Sequence, residues 1–257
     1  MATKDKLLHA GKVAAMRILE KAPQNIGSVS SVRLEGARPV VFTYDDGPTP
    51  GRTPDVMDAL AEHGATATFF VLMTSVHAHP ELLREVIAAG HEVGLHGVDH
   101  RHLPSLPIRV VADNVRRGKA ELEDIVGQPI RWFRPPYGHQ SPADWHTIRA
   151  AGMESVLWSS TSWDWNRKVD NAKRVEIASL SLHPGAVILL HDGHASDADL
   201  AYDGPEPQLD RRDLTDRLLR VCAERDLTCL SLGNLVDRGG ELVRRPHFTI
   251  RPRLHRR

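Results

Sequence analysis

Cysteine is nearly missing from this 257-residue chain: Cys222 and Cys229 are the only two, and neither lies in a paired spacing of the metal-binding or redox type. A disulfide-stapled framework is thereby excluded, and a reducing, cytoplasmic compartment is the expected setting. Net charge is missing as well. Lys plus Arg and Asp plus Glu both total 33, so no overall field draws the chain to nucleic acid or to an anionic membrane surface. The basic run at residues 251–257 is the local exception and reads as a solvated terminus. No apolar run reaches the roughly 20 residues that span a bilayer. Lys4, Asp5, Lys6, Lys12, Arg17, Glu20 and Lys21 interrupt the N-terminus before a signal-peptide core can form, so export is not indicated. Leu7, Leu8, Ala14, Ala15, Ile18 and Leu19 recur there at helical spacing, which predicts an amphipathic leading helix.

What the chain does have is apolar mass in a regular alternation. At 41% hydrophobic and 26% charged, it can bury a large core. Apolar, β-rich stretches fall at 39–44, 66–72, 92–95, 132–134, 155–158, 186–190 and 228–232. Helical spacing falls between them, at 53–63, 80–89, 110–126, 142–151, 175–182 and 210–225, and Gly64, Gly90, Gly127 and Gly152 supply stops. Strand and helix alternating about seven times predict parallel βαβ units closing into an α/β barrel of about seven strands. No composition break divides them. The expected organisation is a catalytic domain over 38–235, an N-terminal helix and linker over 1–37, and a basic tail over 236–257.

In such a barrel, chemistry collects where strands end. Asp45 and Asp46 end the first predicted strand, His96 and His100 follow the third, and Arg134 to Tyr137 end the fourth. Asp164 and Trp165 follow the fifth, and His191 and Asp192 end the sixth. Two histidines four residues apart can grip one ion, and a carboxylate from elsewhere completes a three-ligand site with room for water. With 15 histidines in the chain, that spacing alone does not identify a site. His91, His102, His139, His146 and His194 read as surface or hydrogen-bonded residues. Two histidines and a carboxylate also describe the facial triad of non-haem iron oxygenases. Those enzymes usually use all-β scaffolds, whereas this chain alternates strand with helix and keeps a second carboxylate beside the ligand, so hydrolysis fits better.

Taken in order, Tyr44-Asp45-Asp46-Gly47, His96-x-x-x-His100, Arg134-Pro135-Pro136-Tyr137, Asp164-Trp165 and Leu189-Leu190-His191-Asp192 resemble the five motifs of the polysaccharide deacetylases, carbohydrate esterase family 4, with the NodB homology fold. The resemblance covers roughly residues 39–235. It implies a distorted (β/α) barrel that removes an N-acyl group, usually N-acetyl, from an amino sugar with a divalent metal. Zinc is the expected ion, with cobalt, manganese, nickel and iron as alternatives. By the same resemblance Asp46, His96 and His100 are the metal ligands and Asp45 is the general base, paired with Arg134. His191 is the general acid, oriented by Asp164, and the Tyr137 amide is an oxyanion donor. Pro136, Trp165 and Leu189 are implied to contact substrate.

The chain departs from the family pattern twice. Gly97 stands where a Ser or Thr commonly braces the metal loop, which implies looser bracing or a substitute. Thr161 stands where an aspartate commonly helps to set the arginine, which implies that Arg134 leans on Asp45 alone. Trp158, Trp163 and Trp165 offer a stacking surface for a sugar face. Residues 192–208, with Asp197, Asp199, Asp203 and Glu206, read either as a solvated loop or as an acidic lid favouring a cationic substrate. The expected partner is an N-acylated amino sugar, glycan or small molecule, with no nucleic acid and no membrane span; oligomeric state is left open. A same-fold hydrolase of a non-sugar amide or formamide is the alternative, and an inactive carbohydrate-binding homologue is the third reading.

Overall fold

Alternation along residues 39–45 sorts side chains into two cores. Val40, Phe42 and Tyr44 join a large apolar cluster with helix residues such as Leu60, Leu214 and Leu218, while Val41 joins a smaller one with Phe70, Trp132, Val156 and Val187. The first cluster lies between sheet and helices, and the second fills the concave interior. The computed structural model describes residues 26–201 and 203–250. The leading helix and the basic run at 251–257, both expected from sequence, lie outside the described residues.

The strands are β1 (Ser28–Arg33), β2 (Pro39–Asp45), β3 (Thr68–Leu72), β4 (Glu92–Gly97), β5 (Trp132–Phe133), β6 (Glu154–Ser155), β7 (Ser160–Thr161), β8 (Val187–His191), β9 (Thr228–Cys229) and β10 (Glu241–Arg245). Seven of them run parallel in the order β6-β5-β4-β3-β2-β8-β7, curled into a half-barrel, and β9 pairs with the start of β2. The distorted α/β barrel expected from sequence is the fold observed. Helices Thr53–Glu62, Pro80–Ala88, Ile108–Val126, Pro142–Ala150, Asn171–Ser181 and Arg211–Glu224 cover its convex face. Helix Ile108–Val126 shows why. It buries Val111, Val115, Gly118 and Leu122 on one stripe and stops at Gly127, whose φ of 74° closes the last turn.

The structure corrects the sequence reading in four places. The strand expected at 155–158 stops at Ser155 with β6, the Val156 and Leu157 carbonyls beyond it accept from Arg134, and a separate β7 follows at Ser160–Thr161. The strand expected at 228–232 is shortened to β9. Ser231 caps a short helix, Leu232–Asp237, whose Leu232 and Leu235 plug the interior against Val29 and Val32. A helix, Met73–Ala78, follows β3 directly. Finally, β1 and β10, from either side of the span 38–235, form an antiparallel ribbon. Through Val29 this ribbon bridges to Val156, and through Ser31 to Ala186, covering backbone between β6 and β8 that the half-barrel would leave open. Among the described residues, no helix is long and apolar enough to cross a membrane.

Candidate active site

Parity within the parallel strands delivers the polar residues to one end of the interior. Thr43 and Asp45 on β2 and Leu189 and His191 on β8 share the inward parity of Val41 and Val187. His96 on β4 faces the same way as Gly94, opposite to Val93 and Leu95 in the outer core. Asp46 follows Asp45 with a φ of 76°, a left-handed conformation that aspartate tolerates better than most residues. That turn separates two carboxylates adjacent in sequence. Gly47 beside it leaves room for the Asp192 carboxylate, which a Cβ there would displace.

Asp46, His96 and His100 form a buried cluster whose candidate ligand atoms all lie within 4.8 Å of one another. Asp46 Oδ1 is 3.4 Å from His96 Nε2 and 3.5 Å from His100 Nε2, and it is buried with no hydrogen-bond partner among the described residues. Burial alone would raise the Asp46 pKa, but His100 and His96 outweigh it and hold the carboxyl well below the usual range. Burial likewise opposes charge on His96, yet Asp45 and Asp46 hold its ring above the ordinary value. His100, in contrast, is held below the ordinary value, chiefly by burial. One carboxylate oxygen without a partner and two imidazole nitrogens turned to it fit a divalent ion of the transition series.

Asp45 is buried beside this cluster, its Oδ2 3.8 Å from His96 Nε2. Its Oδ1 accepts a 2.7 Å hydrogen bond from the fully buried Arg134. Arg134 does not lean on Asp45 alone, contrary to the expectation from Thr161. It also donates to the Thr43 hydroxyl at 2.7 Å and to the Val156 and Leu157 carbonyls, and its guanidinium lies 4.1 Å from the Phe70 ring centroid. Its own carbonyl lies 2.8 Å from His96 Nδ1, so one residue registers both the expected base and an expected ligand.

Across the cavity, Asp164 clamps His191 twice. Its Oδ2 accepts from the His191 backbone N–H at 2.7 Å, and its Oδ1 lies 2.9 Å from the ring Nδ1. Burial disfavours the imidazolium, but Asp164 leads the carboxylates that lift the His191 pKa to about 10. Trp165, 47% exposed, packs edge-on against the His191 ring at 5.8 Å. Tyr137 sits in the turn Pro136–Gly138 with a φ of 60°, its ring 4.4 Å from that of His100. A cavity of about 390 Å³ brings together Asp45, Asp46, His96, His100, Tyr137, Asp164, Trp165, Leu189 and His191. Arg134 stands behind Asp45 rather than in the cavity lining, and Pro136 is buried in its turn, also outside that lining.

Gly97 has a φ of 143°, and a Cβ there would come within 2.7 Å of the Asp99 carbonyl oxygen. A side chain is sterically excluded, and the turn is braced otherwise: Asp99 forks onto Arg101, and the His100 N–H donates to the Asp199 carbonyl at 2.8 Å. The acidic loop is not a free negative face. Asp199 is buried and accepts from the Thr74 and Ser196 hydroxyls, while Glu206 pairs with Arg52 and Arg211. Arg211, which sequence reasoning missed, also donates to the His191 and Gly193 carbonyls and ties the loop to the site. Its partners lie up to 20 residues away, beyond any local spacing signal. Of the other histidines, His91 is buried with its pKa pushed down to about 4, His102 and His139 bond to each other, and His194 bonds to the Gly204 carbonyl.

Comparison with known proteins agrees with this geometry. The family model described as polysaccharide deacetylase matches residues 34–156. A chitooligosaccharide deacetylase of Bradyrhizobium sp. (strain ANU 289) is 35% identical over 231 residues, covering 89% of this chain and 93% of that protein. A peptidoglycan-N-acetylglucosamine deacetylase of Bacillus cereus is 33% identical over 187 residues, covering 68% and 83%. Among solved structures, a family 4 carbohydrate esterase from Streptomyces lividans in complex with acetate superposes with a TM-score of 0.63 at 27% identity, covering 74% of this chain and 91% of that one. On the strength of these matches and of the motifs now seen converging at one end of the half-barrel, the chain belongs to the polysaccharide deacetylase family, carbohydrate esterase family 4.

Proposed function

We propose that the protein is a metal-dependent hydrolase that removes an N-acetyl group from an amino sugar, with Asp45 as general base and His191 as general acid. The observation that carries this reading is the placement of two hydrogen-bonded pairs, Asp45 with Arg134 and His191 with Asp164, around one cavity that also holds the Asp46, His96 and His100 cluster. These three residues would hold the ion, which supplies Lewis acidity that polarises the acyl carbonyl and makes a water molecule more acidic. Asp45 accepts the proton of that water as its oxygen attacks the carbonyl carbon. Arg134 keeps the Asp45 carboxylate fixed and supplies the opposite charge beside it. The Tyr137 amide, presented by a left-handed turn, is assigned to the oxyanion. As the carbon–nitrogen bond breaks, His191 gives its proton to the departing nitrogen, so a carboxylate and an amine leave.

The substrate reading draws on the relatives, named for chitooligosaccharide and for peptidoglycan N-acetylglucosamine. The cavity is at the small end for ligand sites, which run about 300–1,000 Å³, and suits one acylated residue at a time. Leu189 and Trp165 are assigned to the acyl pocket, with Trp165 exposed enough to meet a sugar face. The two buried, unpaired thiols fit the proposed cytoplasmic setting.

Metal analysis together with turnover on a panel of N-acyl amino sugars tests the assignment. Asp45→Asn is expected to keep the metal and lose about 10²–10⁴ in turnover, whereas His100→Ala is expected to lose the metal. Full activity in Asp45→Asn rejects the base. Release of formate in place of acetate, or activity confined to non-sugar amides, rejects the substrate class.

A further inference from the structure

An imidazole that offers Nε2 to an ion must carry its proton on Nδ1, and that N–H needs an acceptor behind the ring. For His96 the acceptor is the Arg134 carbonyl, 2.8 Å from Nδ1. His100 is backed differently. Its Nδ1 is buried with no hydrogen bond among the described residues, and the charged group facing it is Asp203, whose Oδ2 lies 3.4 Å away. Gly97, in the same turn, has no side chain with which to help.

Asp203 reaches this place on a loop that is fastened to the site at several points. The Ala195 N–H donates to Asp46 Oδ2 at 3.3 Å, and the Asp199 carbonyl accepts from the His100 N–H at 2.8 Å. Thr74 holds the Asp199 carboxylate, and Arg211 holds the Gly193 carbonyl. The loop therefore touches Asp46 through one amide, the His100 backbone through one carbonyl and the His100 ring through one carboxylate. The far side of Asp203 is open, its side chain being 29% exposed.

We propose that Asp203 is a positioning residue of the metal centre: its carboxylate accepts the Nδ1 proton of His100 and fixes the ring with Nε2 turned to Asp46 and His96. The inference rests on the metal-site reading above and makes ion affinity a property of the loop that follows the general acid. Such a carboxylate behind a ligand histidine is typically worth about 10–100-fold in metal affinity.

The test uses the metal-free full chain and zinc alone, with affinity read by competition against a chromogenic chelator and coordination read from the visible spectrum of the cobalt-loaded protein. Asp203→Ala should weaken zinc binding about 10–100-fold and alter the cobalt spectrum. Asp203→Asn, which keeps an acceptor oxygen, should recover part of the affinity. Asp197→Asn removes an equal charge from an exposed position of the same loop and should leave affinity unchanged. Thermal unfolding of the metal-free variants should match that of the parent. Zinc binding by Asp203→Ala as tight as the parent's, with an unaltered cobalt spectrum, overturns the proposal, as does an equal loss in Asp197→Asn. A parent chain that binds neither ion overturns this proposal and the metal reading together. If the parent binds zinc but hydrolyses no N-acyl sugar, only the substrate reading falls.

Discussion

Arg134 divides its side chain and its backbone between the two halves of the proposed chemistry, fixing Asp45 with the guanidinium and His96 with the carbonyl. Asp164 does the same for one residue, holding the His191 backbone and ring together. The pH consequence follows from the sign of the shift. Burial would lower the His191 pKa, but Asp164, followed by Asp46 and Asp45, raises it to about 10 from 6.5, so the ring keeps its proton as pH rises through neutrality. Deprotonating His191, the proposed acid, is then expected to set an alkaline limb of kcat well above 6.5. Asp164→Asn removes the largest of the raising charges. Its alkaline limb is expected to move to lower pH by about 1–3 units, read from kcat profiles of parent and variant; an unmoved limb would show that Asp164 does not tune the acid. At this scale most of the site was legible in the sequence, because Asp45, Asp46, His96, His100 and His191 announce themselves by chemical type and order. The support for Arg134 was not. Thr43, Val156 and Leu157 reach it across 91, 22 and 23 residues, and two of the three act through backbone carbonyls that any residue supplies.

At the scale of elements, β4 and the turn after it carry the two proposed ligands, His96 and His100, on opposite sides of Gly97. Gly97 adopts a φ of 143°, and Asp99 lies too close to admit a Cβ. Gly97→Ala is therefore expected to cost about 1–3 kcal/mol of stability in the metal-free protein and to weaken metal uptake as His100 is displaced. Urea denaturation and a metal titration check the two effects, and parent-like values in both would mean that the turn relaxes freely. The apolar, β-rich stretches predicted β2, β3, β4 and β8 to within about two residues at each end, because these strands are buried almost throughout and their lengths are ordinary. The pattern failed at residues 155–158, where the Val156 and Leu157 carbonyls accept from Arg134 and the Leu157 N–H donates to Val29 of β1. It failed again at 228–232, where the cap Ser231 and its bond from Asn234 N–H turned the chain into a helix.

For the whole molecule, the ribbon of β1 and β10 joins the two ends of the described chain beneath the barrel. Arg244 of β10 forks onto Glu154 of β6, and Val29 and Val32 of β1 close the interior core. Removing residues 239–257 is expected to lower the Tm by about 5–15 °C, at roughly 2–4 °C per kcal/mol for a chain of this size. A differential scanning calorimetry trace superposable on the parent's would show that the ribbon is not part of the cooperative unit. The sequence could not mark this ribbon, since each strand is short, partly polar and paired with a partner more than 200 residues away. The parity of β2 carries a different message. Residues 40, 42 and 44 answer to the helices, and residues 41, 43 and 45 answer to the interior and its mouth. The proposed chemistry and the outer packing thus fall on alternate letters of one strand, and the buried Arg134, bonded to Thr43 and Asp45, ties the inner letters to the fold as well.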